Sequence, residues 1–254
     1  MDKSFAQRMS SLTTQFYARV ASSFADTRQG AWPGWERVIA ETGLEGMSRV
    51  RIFDVACGNL RFERFLAKHV GGVEAWCMDN NDELASLART SIDGLDVRYR
   101  RTDVAELLLD VVDDRSAVTM LRLDDNDAWG ASCDLAVSFG FMHHLPTFEQ
   151  RAALMRLLLD HIGPQGYVAI AFWQFADNVR LRAKARHAEG GGEHDYLLGW
   201  QDVSDVWRFC HHTSEDEIDD LVATVSDVAR EVARFSADGR TGKLNRYVVL
   251  AKHC

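Results

Sequence analysis

The chain has 254 residues, of which 46% are apolar and 26% charged, and its formal net charge is -9. That composition provides a buried core, and an acidic chain gains no general electrostatic attraction to nucleic acid. No apolar run approaches a membrane span, and Lys3–Thr14 is too polar for a signal peptide, so we expect a cytoplasmic protein without a membrane segment. The five cysteines form no CxxC pair, which is typical of reduced thiols and argues against a disulfide framework or a zinc knuckle.

The first elements are helical. Apolar residues three or four apart over residues 4–24 predict an amphipathic helix, and a second helix is expected over 35–42. The loop between them contains Trp32 and Trp35. These tryptophans fit two interpretations equally well, a role at a site or simple anchoring of the N-terminal helix to the core. We treat residues 1–45 as an N-terminal helical lid.

The central stretch covers residues 50–62 and is typical of a short buried strand, a tight turn and a helix that begins at Phe62. Asp54 ends the strand, and Gly58 permits a backbone to approach a ligand that no side chain would admit. A second strand, 73–78, is followed by Asp79, and an acid at that spacing is placed to bind two ribose hydroxyls. The two acids together indicate a nucleoside ligand without a diphosphate.

Strands and helices continue to alternate after Asp79. We expect a helix over 83–91, a strand over 96–101 that leads to Asp103, and a strand over 133–140 that leads to His143 and His144. Residues 104–127 could hold a helix (106–112) and a short strand (117–123). A helix over 148–162 and a buried strand over 167–173 follow, and two terminal strands cover 231–236 and 245–251. The order predicts an α/β fold, a doubly wound, mostly parallel seven-stranded sheet with an antiparallel C-terminal hairpin.

The last third has a different character. Residues 177–187 are basic and are predicted to be helical, three glycines follow at 190–192, and two aromatic stretches cover 194–200 and 206–212. We interpret 177–214 as a substrate-side insertion. Thr213 or Ser214 is expected to cap the next helix.

The central stretch resembles the first motif of the class I S-adenosylmethionine-dependent methyltransferases, an acid followed by three alternating glycines. Gly58 is the middle glycine, while Ala56 and Leu60 occupy the outer two positions. The resemblance implies one methyltransferase domain over residues 1–254, with S-adenosylmethionine as cofactor. The cofactor-binding residues that we predict are Asp54, Ala56, Cys57, Gly58, Asp79, Asn80, Asp103, Val104 and Ser138.

A closer resemblance covers most of the chain. Thr27–Pro33, Asp54–Asn59, His143–Leu145, Asp195–Trp200 and Arg208–His211 follow in the order found in the tRNA wobble-uridine carboxymethyl methyltransferases, which esterify a carboxymethyl group on uridine. This implies a tRNA substrate, with a small adaptor protein as a further partner that the sequence itself does not indicate. The acceptor-side residues would be Arg208, Arg28 and His143. Phosphate contacts would fall to Arg180, Arg182, Lys184 and Arg186.

Several alternatives stay open. The acceptor could be a small molecule, or the chain could be a methyltransferase-like binding module without catalysis. His143 and His144 could cap a turn, and His211 and His212 could be edge-strand residues. Neither pair has the spacing of a helical metal site, and we predict no metal. Each acceptor-side arginine could instead pair with a nearby acid, such as Asp205 for Arg208.

Overall fold

The computed structural model describes residues 3–27, 30–87, 95–113, 132–201 and 203–253. The helices in this part of the chain are α1 (Lys3–Asp26), α2 (Pro33–Thr42), α3 (Arg61–Leu66), α4 (Asp82–Leu87), α5 (Val104–Asp113), α6 (Phe148–His161), α7 (Val179–Arg182) and α8 (Glu215–Ala223). The strands are β1 (Val50–Val55), β2 (Val73–Asp79), β3 (Leu95–Arg101), β4 (Cys133–Phe139), β5 (Ile162–Trp173), β6 (Arg186–His187), β7 (Asp195–Trp200), β8 (Val203–His211), β9 (Ala229–Ala237) and β10 (Asn245–Lys252).

Local sequence signals account for several helix ends. Pro33 opens α2, and Gly43 ends it in the left-handed conformation. Thr147 and Gln150 form a reciprocal capping box at the start of α6. Ser214 caps α8 by accepting a hydrogen bond from the Glu217 backbone, which confirms one of the two caps expected from the sequence.

Seven strands form the main sheet in the order β3-β2-β1-β4-β5-β10-β9. The pairs from β3 to β5 are parallel, and β10 is antiparallel to both β5 and β9. The predicted doubly wound sheet with an antiparallel C-terminal hairpin is therefore confirmed. The chain order runs from β1 toward β3 on one side and from β4 toward β5 on the other. Such a reversal leaves a crevice at the carboxyl ends of the central strands, where open α/β sheets bind ligands.

The core has two layers, one on each face of this sheet. Phe53 and Val55 of β1 pack into the layer that contains α5, α6 and α8. Ile52 and Val50 point the other way and pack with α2 and α3. Because successive strand residues alternate between faces, Asp54 lies on the α3 side of the sheet.

A second, antiparallel sheet of three strands has the order β6-β7-β8 and follows β5 in the chain. Trp200 and Val206 of this sheet pack against Phe16 and Val20 of α1. The expectation of a helix over 177–187 is wrong for most of its length, since α7 is a single turn and β6 then pairs with β7. Strand pairing has overridden the local helix preference of the basic residues.

The expected strand over 117–123 lies outside the described residues, as does the second half of the helix expected over 83–91. None of the helices that the structure describes combines the length and the apolar character needed to cross a membrane.

Candidate functional site

Three carboxylates meet at the carboxyl edge of the parallel strands, at Asp54 in β1, Asp79 in β2 and Asp103 after β3. The Asp79 carboxylate accepts hydrogen bonds from the backbone N–H groups of Gly58 and Asn81, each 2.9 Å long. Asp79 therefore ties the turn after β1 to the end of β2. Burial raises the pKa of Asp79 to about 6, against the opposing effect of these backbone hydrogen bonds.

Helix α1 reaches the same edge through Thr14. Its hydroxyl donates to the Asp103 carboxylate at 3.1 Å, and the Asn80 amide donates to the same oxygen at 3.1 Å. A third hydrogen bond, from the Asn80 amide to the Thr14 hydroxyl, closes the triangle. Sequence reasoning missed Thr14, because the only local signal is its place on the polar face of an amphipathic helix.

The turn after β1 keeps a glycine-type backbone although it has one glycine. Ala56, Gly58 and Leu60 have φ values of 66°, 56° and 53°, all in the left-handed region. An alternating-glycine motif would adopt this conformation without strain, whereas alanine and leucine adopt it at a cost. The turn therefore keeps its left-handed backbone although alanine and leucine occupy two of the glycine positions. Leu60 is also buried in the core at 3% exposure.

A cavity of about 420 Å³ opens at this edge. It is lined by strand ends, by α1 and by the second sheet. The predicted site residues that line it are Asp54, Ala56, Cys57, Gly58, Asp79, Asn80, Asp103, Val104, His143 and Arg208. Ser138 does not, because its buried hydroxyl donates to the Val55 carbonyl at 3.1 Å. Arg28 lies outside the described residues.

Sequence reasoning also missed lining residues that come from distant parts of the chain. They include Thr13 and Tyr17 of α1, Trp173 at the end of β5, and Asn245 at the start of β10. Trp173 and Asn245 face each other in the β5–β10 register, which a single sequence does not reveal. The carboxyl end of a buried strand is the one signal that could have identified Trp173.

Arg208 lies in an aromatic cage inside the cavity. Its guanidinium carbon is 4.8 Å from the ring centre of Phe16, 5.4 Å from Trp173 and 5.9 Å from Trp200. The residue is 5% exposed, and its Nε has no hydrogen-bond partner in the part of the chain that the structure describes. Among the described residues no carboxylate pairs with it, so the interpretation in which Asp205 neutralises Arg208 is wrong.

The aromatic neighbours of Arg208 differ from those that its sequence position suggests. Trp207 and Phe209 flank it in β8, but adjacent strand residues point to opposite faces. The Trp207 ring instead lies 4.2 Å from the guanidinium of Arg186. The cage is built from α1 and β5, which lie far from Arg208 in the sequence, and from Trp200 at the end of the adjacent strand β7.

The two histidines after β4 are buried beside this cage. His144 Nδ1 lies 2.7 Å from the Phe209 carbonyl and must donate to it, so Nε2 accepts from the Tyr17 hydroxyl at 3.0 Å. The His143 ring is tilted by 49° against that of His144 with ring centres 4.0 Å apart, and its Nδ1 is buried without a partner among the described residues. Burial, with a smaller effect of Arg208, lowers the pKa of His144 to about 3, and burial lowers that of His143 well below its usual value.

These histidines also form a group of metal-ligand type with Cys210, whose ligand atoms lie within 4.8 Å of those of His143 and His144. Arg208 hydrogen-bonds to the Cys210 sulfur, and burial raises the pKa of that thiol to about 11. A protonated thiol and an adjacent guanidinium both disfavour a metal cation there. The histidines are therefore neutral groups that line the cavity.

His211 belongs to a separate buried network that fastens the second sheet to the main domain. Its Nδ1 lies 2.7 Å from Asp195, and its Nε2 lies 2.8 Å from Glu217. Arg151 pairs with the same Glu217 at 2.7 Å and donates to the Leu145 carbonyl. His211 is thus a structural residue that joins β7, β8, α8 and α6.

Comparisons with known proteins agree with this architecture. No protein-family model matches the sequence. A protein of Encephalitozoon cuniculi named as a methyltransferase is 31% identical over 80 residues, which cover 32% of this chain and 37% of that protein. The aligned segment thus spans little more than a third of the length of that relative.

Solved structures match over most of the chain. An S-adenosylmethionine-dependent methyltransferase from Methanosarcina mazei has a TM-score of 0.57 at 19% identity, covering 82% of this chain and 93% of its own. The complex of DhpI with S-adenosylhomocysteine (SAH) has a TM-score of 0.59 at 14% identity, covering 96% and 97%. At these identities the likeness establishes the fold, the Rossmann-like fold of S-adenosylmethionine-dependent methyltransferases.

Proposed function

We propose that this protein is an S-adenosylmethionine-dependent methyltransferase. The observation that carries the proposal is the convergence of Asp54, Asp79 and Asp103 on one cavity, around a left-handed turn with glycine-type backbone. Asp79 would bind the ribose hydroxyls, Asp103 with Val104 would flank the adenine, and Gly58 would lie against the amino-acid end of the donor. The fold and the ligand named for DhpI support the same assignment.

The acceptor end of the cavity favours an anionic acceptor. Arg208 is a buried cation without a carboxylate partner among the described residues, and a desolvated guanidinium attracts an anion strongly. His143 and His144 have lowered pKa values and are poor bases at neutral pH. An acceptor that must lose a proton would find little help here, whereas a carboxylate is ionised before it binds.

Methyl transfer to a carboxylate then requires mainly alignment. The carboxylate oxygen attacks the donor methyl carbon, the carbon–sulfur bond breaks, and the sulfonium becomes the neutral thioether of SAH. No proton is transferred, so the protein contributes position and electrostatics. Arg208 would hold the acceptor by its planar fork of donors.

A small carboxylate is the acceptor that the cavity fits most directly, because α1 covers the site through Thr13, Thr14 and Tyr17. A carboxymethylated wobble uridine of tRNA is the second candidate. One observation favours it: Leu181 lines the cavity, and the exposed basic side chains of Arg180 and Lys184 flank it in sequence. Phosphates near those residues would place a nucleotide at the cavity mouth.

A labelling experiment separates these candidates. Protein would be incubated with methyl-labelled donor and either a panel of small carboxylates or total tRNA from cells unable to form the ester, with and without cell extract as a source of partner. A methyl ester releases its label in mild base, whereas N-methyl and C-methyl products do not. Base-labile label in either pool supports the proposal. Donor binding without label in any pool would leave a catalytically silent binding module.

A further inference from the structure

A buried pair of carboxyl groups lies behind the turn that faces the cavity, on Asp54 of β1 and Glu63 of α3. Asp54 is 3% exposed and Glu63 is 0% exposed. The two side chains lie within hydrogen-bonding reach of each other. Two carboxylates offer only acceptors, so a hydrogen bond between them requires that one carboxyl group be protonated.

Two oxygens of the pair have no donor from its surroundings. Apart from the contact between the two carboxyl groups, Asp54 Oδ1 and Glu63 Oε2 are buried without a hydrogen-bond partner among the described groups. The Cys77 thiol donates to the other Glu63 oxygen, Oε1, at 3.2 Å and so fixes the orientation of that side chain. Arg64 follows Glu63 on α3, and its guanidinium donates to the backbone carbonyls of Asn59 and Leu60. Its charge opposes the effect of burial on the pKa of Glu63, which is nevertheless raised.

The remaining titratable groups near the pair are also acidic or neutral. They are the Asp79 carboxyl at the end of β2 and the Cys57 thiol in the turn. Burial raises the pKa of Asp54 well above its usual value, and the neighbouring Glu63 raises it further. Burial also raises the pKa of Glu63. One proton shared by two carboxyl groups satisfies both orphaned oxygens and removes one buried negative charge.

Asp54 also lines the cavity, whereas Glu63 lies behind it. We propose that Glu63 is a positioning residue that holds a proton on the Asp54–Glu63 pair, and that the ammonium group of the donor expels this proton to solvent when it binds at Asp54. The inference rests on the proposed function, because it takes the ligand to be S-adenosylmethionine or its product. The donor ammonium replaces the shared proton as the positive partner of Asp54.

The sign of the effect follows from linkage. The donor binds the ionised pair better than the protonated pair, so binding releases a proton and affinity rises with pH until the pair ionises in the free protein. In that range the dissociation constant decreases by up to about tenfold for each unit of increase in pH. Glu63 would thereby keep an empty site from burying two unpaired negative charges.

Calorimetric titration with SAH tests this directly. Heats measured at pH 7.5 in two buffers with different ionisation enthalpies give the number of protons released. Asp79 has a pKa of about 6 and is almost fully ionised at that pH, so it contributes little to the count. We expect a release that approaches one proton per bound ligand, together with an affinity that increases from pH 7 to pH 8.5.

Two variants identify the source of the proton. In Glu63→Gln the amide can donate to Asp54, which stays ionised, so proton release should fall toward zero while SAH binds as tightly as in the wild type or more tightly. A purely structural role would weaken binding without changing the proton count. Glu74→Gln is the matched control, since Glu74 is a buried acid of β2 at 8% exposure that pairs with Arg49 and Arg98. It should release the wild-type number of protons.

The inference is overturned if SAH binds to the wild type without net proton release, or if Glu63→Gln releases as many protons as the wild type. If Glu63→Gln does not fold, the number of protons that the wild type releases on binding SAH decides alone whether the inference holds. Absence of SAH binding in the wild type would have a different meaning, because it would overturn the proposed function and the inference with it.

Discussion

In the strained turn after β1, substitution by glycine should change the free energy of unfolding in opposite directions at two positions. Ala56 and Leu60 share the left-handed conformation, with φ values of 66° and 53°. Replacing either by glycine removes the same kind of strain. The two side chains differ in burial, because Ala56 is partly exposed whereas Leu60 is 3% exposed and packs in the core.

The magnitudes follow from that difference. The left-handed backbone costs an L-residue about 1–2 kcal/mol, which glycine avoids. Glycine also raises the entropy of the unfolded chain, and this opposing effect lowers the free energy of unfolding by about 0.4–1 kcal/mol. Ala56→Gly should therefore raise the free energy of unfolding by about 0.5–1 kcal/mol, or about 1–4 °C in melting temperature. Leu60→Gly gains the same relief but loses about 2–5 kcal/mol of burial and packing, so a net loss of about 1–4 kcal/mol is expected.

Urea unfolding followed by tryptophan fluorescence measures both changes. Gly58→Ala serves as the strain control. No atom of the described residues lies within 4 Å of the added methyl group, so a loss of about 1 kcal/mol would come from conformation alone. A loss of stability in Ala56→Gly would refute the left-handed turn as the origin of the strain. A gain in Leu60→Gly would instead refute the claim that burial of the Leu60 side chain outweighs that strain.

Three further predictions concern groups around the site. Arg208→Lys keeps the charge but loses the planar fork, so turnover should fall at least about tenfold with SAH affinity unchanged. The control Arg37→Lys, on the exposed face of α2, should leave turnover and SAH affinity intact. Wild-type turnover in Arg208→Lys would contradict the acceptor role. Arg151→Met leaves Glu217 with one partner fewer in a buried network and should cost about 3–5 kcal/mol in urea unfolding, and a loss under about 1 kcal/mol would show that the network is not stabilising. The pKa of Asp79 is about 6 in the folded protein, above its unfolded value, so its contribution to stability is complete below about pH 4 and is lost as pH rises through about 6. Asp79→Asn should therefore flatten the pH dependence of the free energy of unfolding between about pH 4 and pH 6. An unchanged pH profile would count against the raised pKa.

The sequence was sufficient to predict the main sheet because its signals are local. Buried strands separated by helix-period segments fix the alternation, and the acids at Asp54, Asp79 and Asp103 mark the carboxyl ends of three strands. Parallel packing then brings those ends to one edge without further information. The cavity is lined by each of these three acids.

Long-range packing accounts for what the sequence did not predict. The cage of Arg208 draws on α1, β5 and β7, and Thr14 reaches Asp103 across 89 positions of the chain. Glu63 looked like an ordinary helix residue, since nothing in its local pattern places it beneath Asp54. The basic stretch 177–187 was misassigned because its pairing partner β7 lies beyond the window in which helix periodicity is judged.

The central claim is that the strand-end cavity binds S-adenosylmethionine, and calorimetric titration of SAH into the wild type and Asp79→Asn tests it most directly. We predict one binding site per chain in the wild type. Asp79→Asn replaces one of the two acceptor oxygens with an amide donor, which should weaken binding by about 1–3 kcal/mol, or about 5- to 150-fold in the dissociation constant. Absence of binding to the wild type, or equal affinity in the folded variant, would contradict the account.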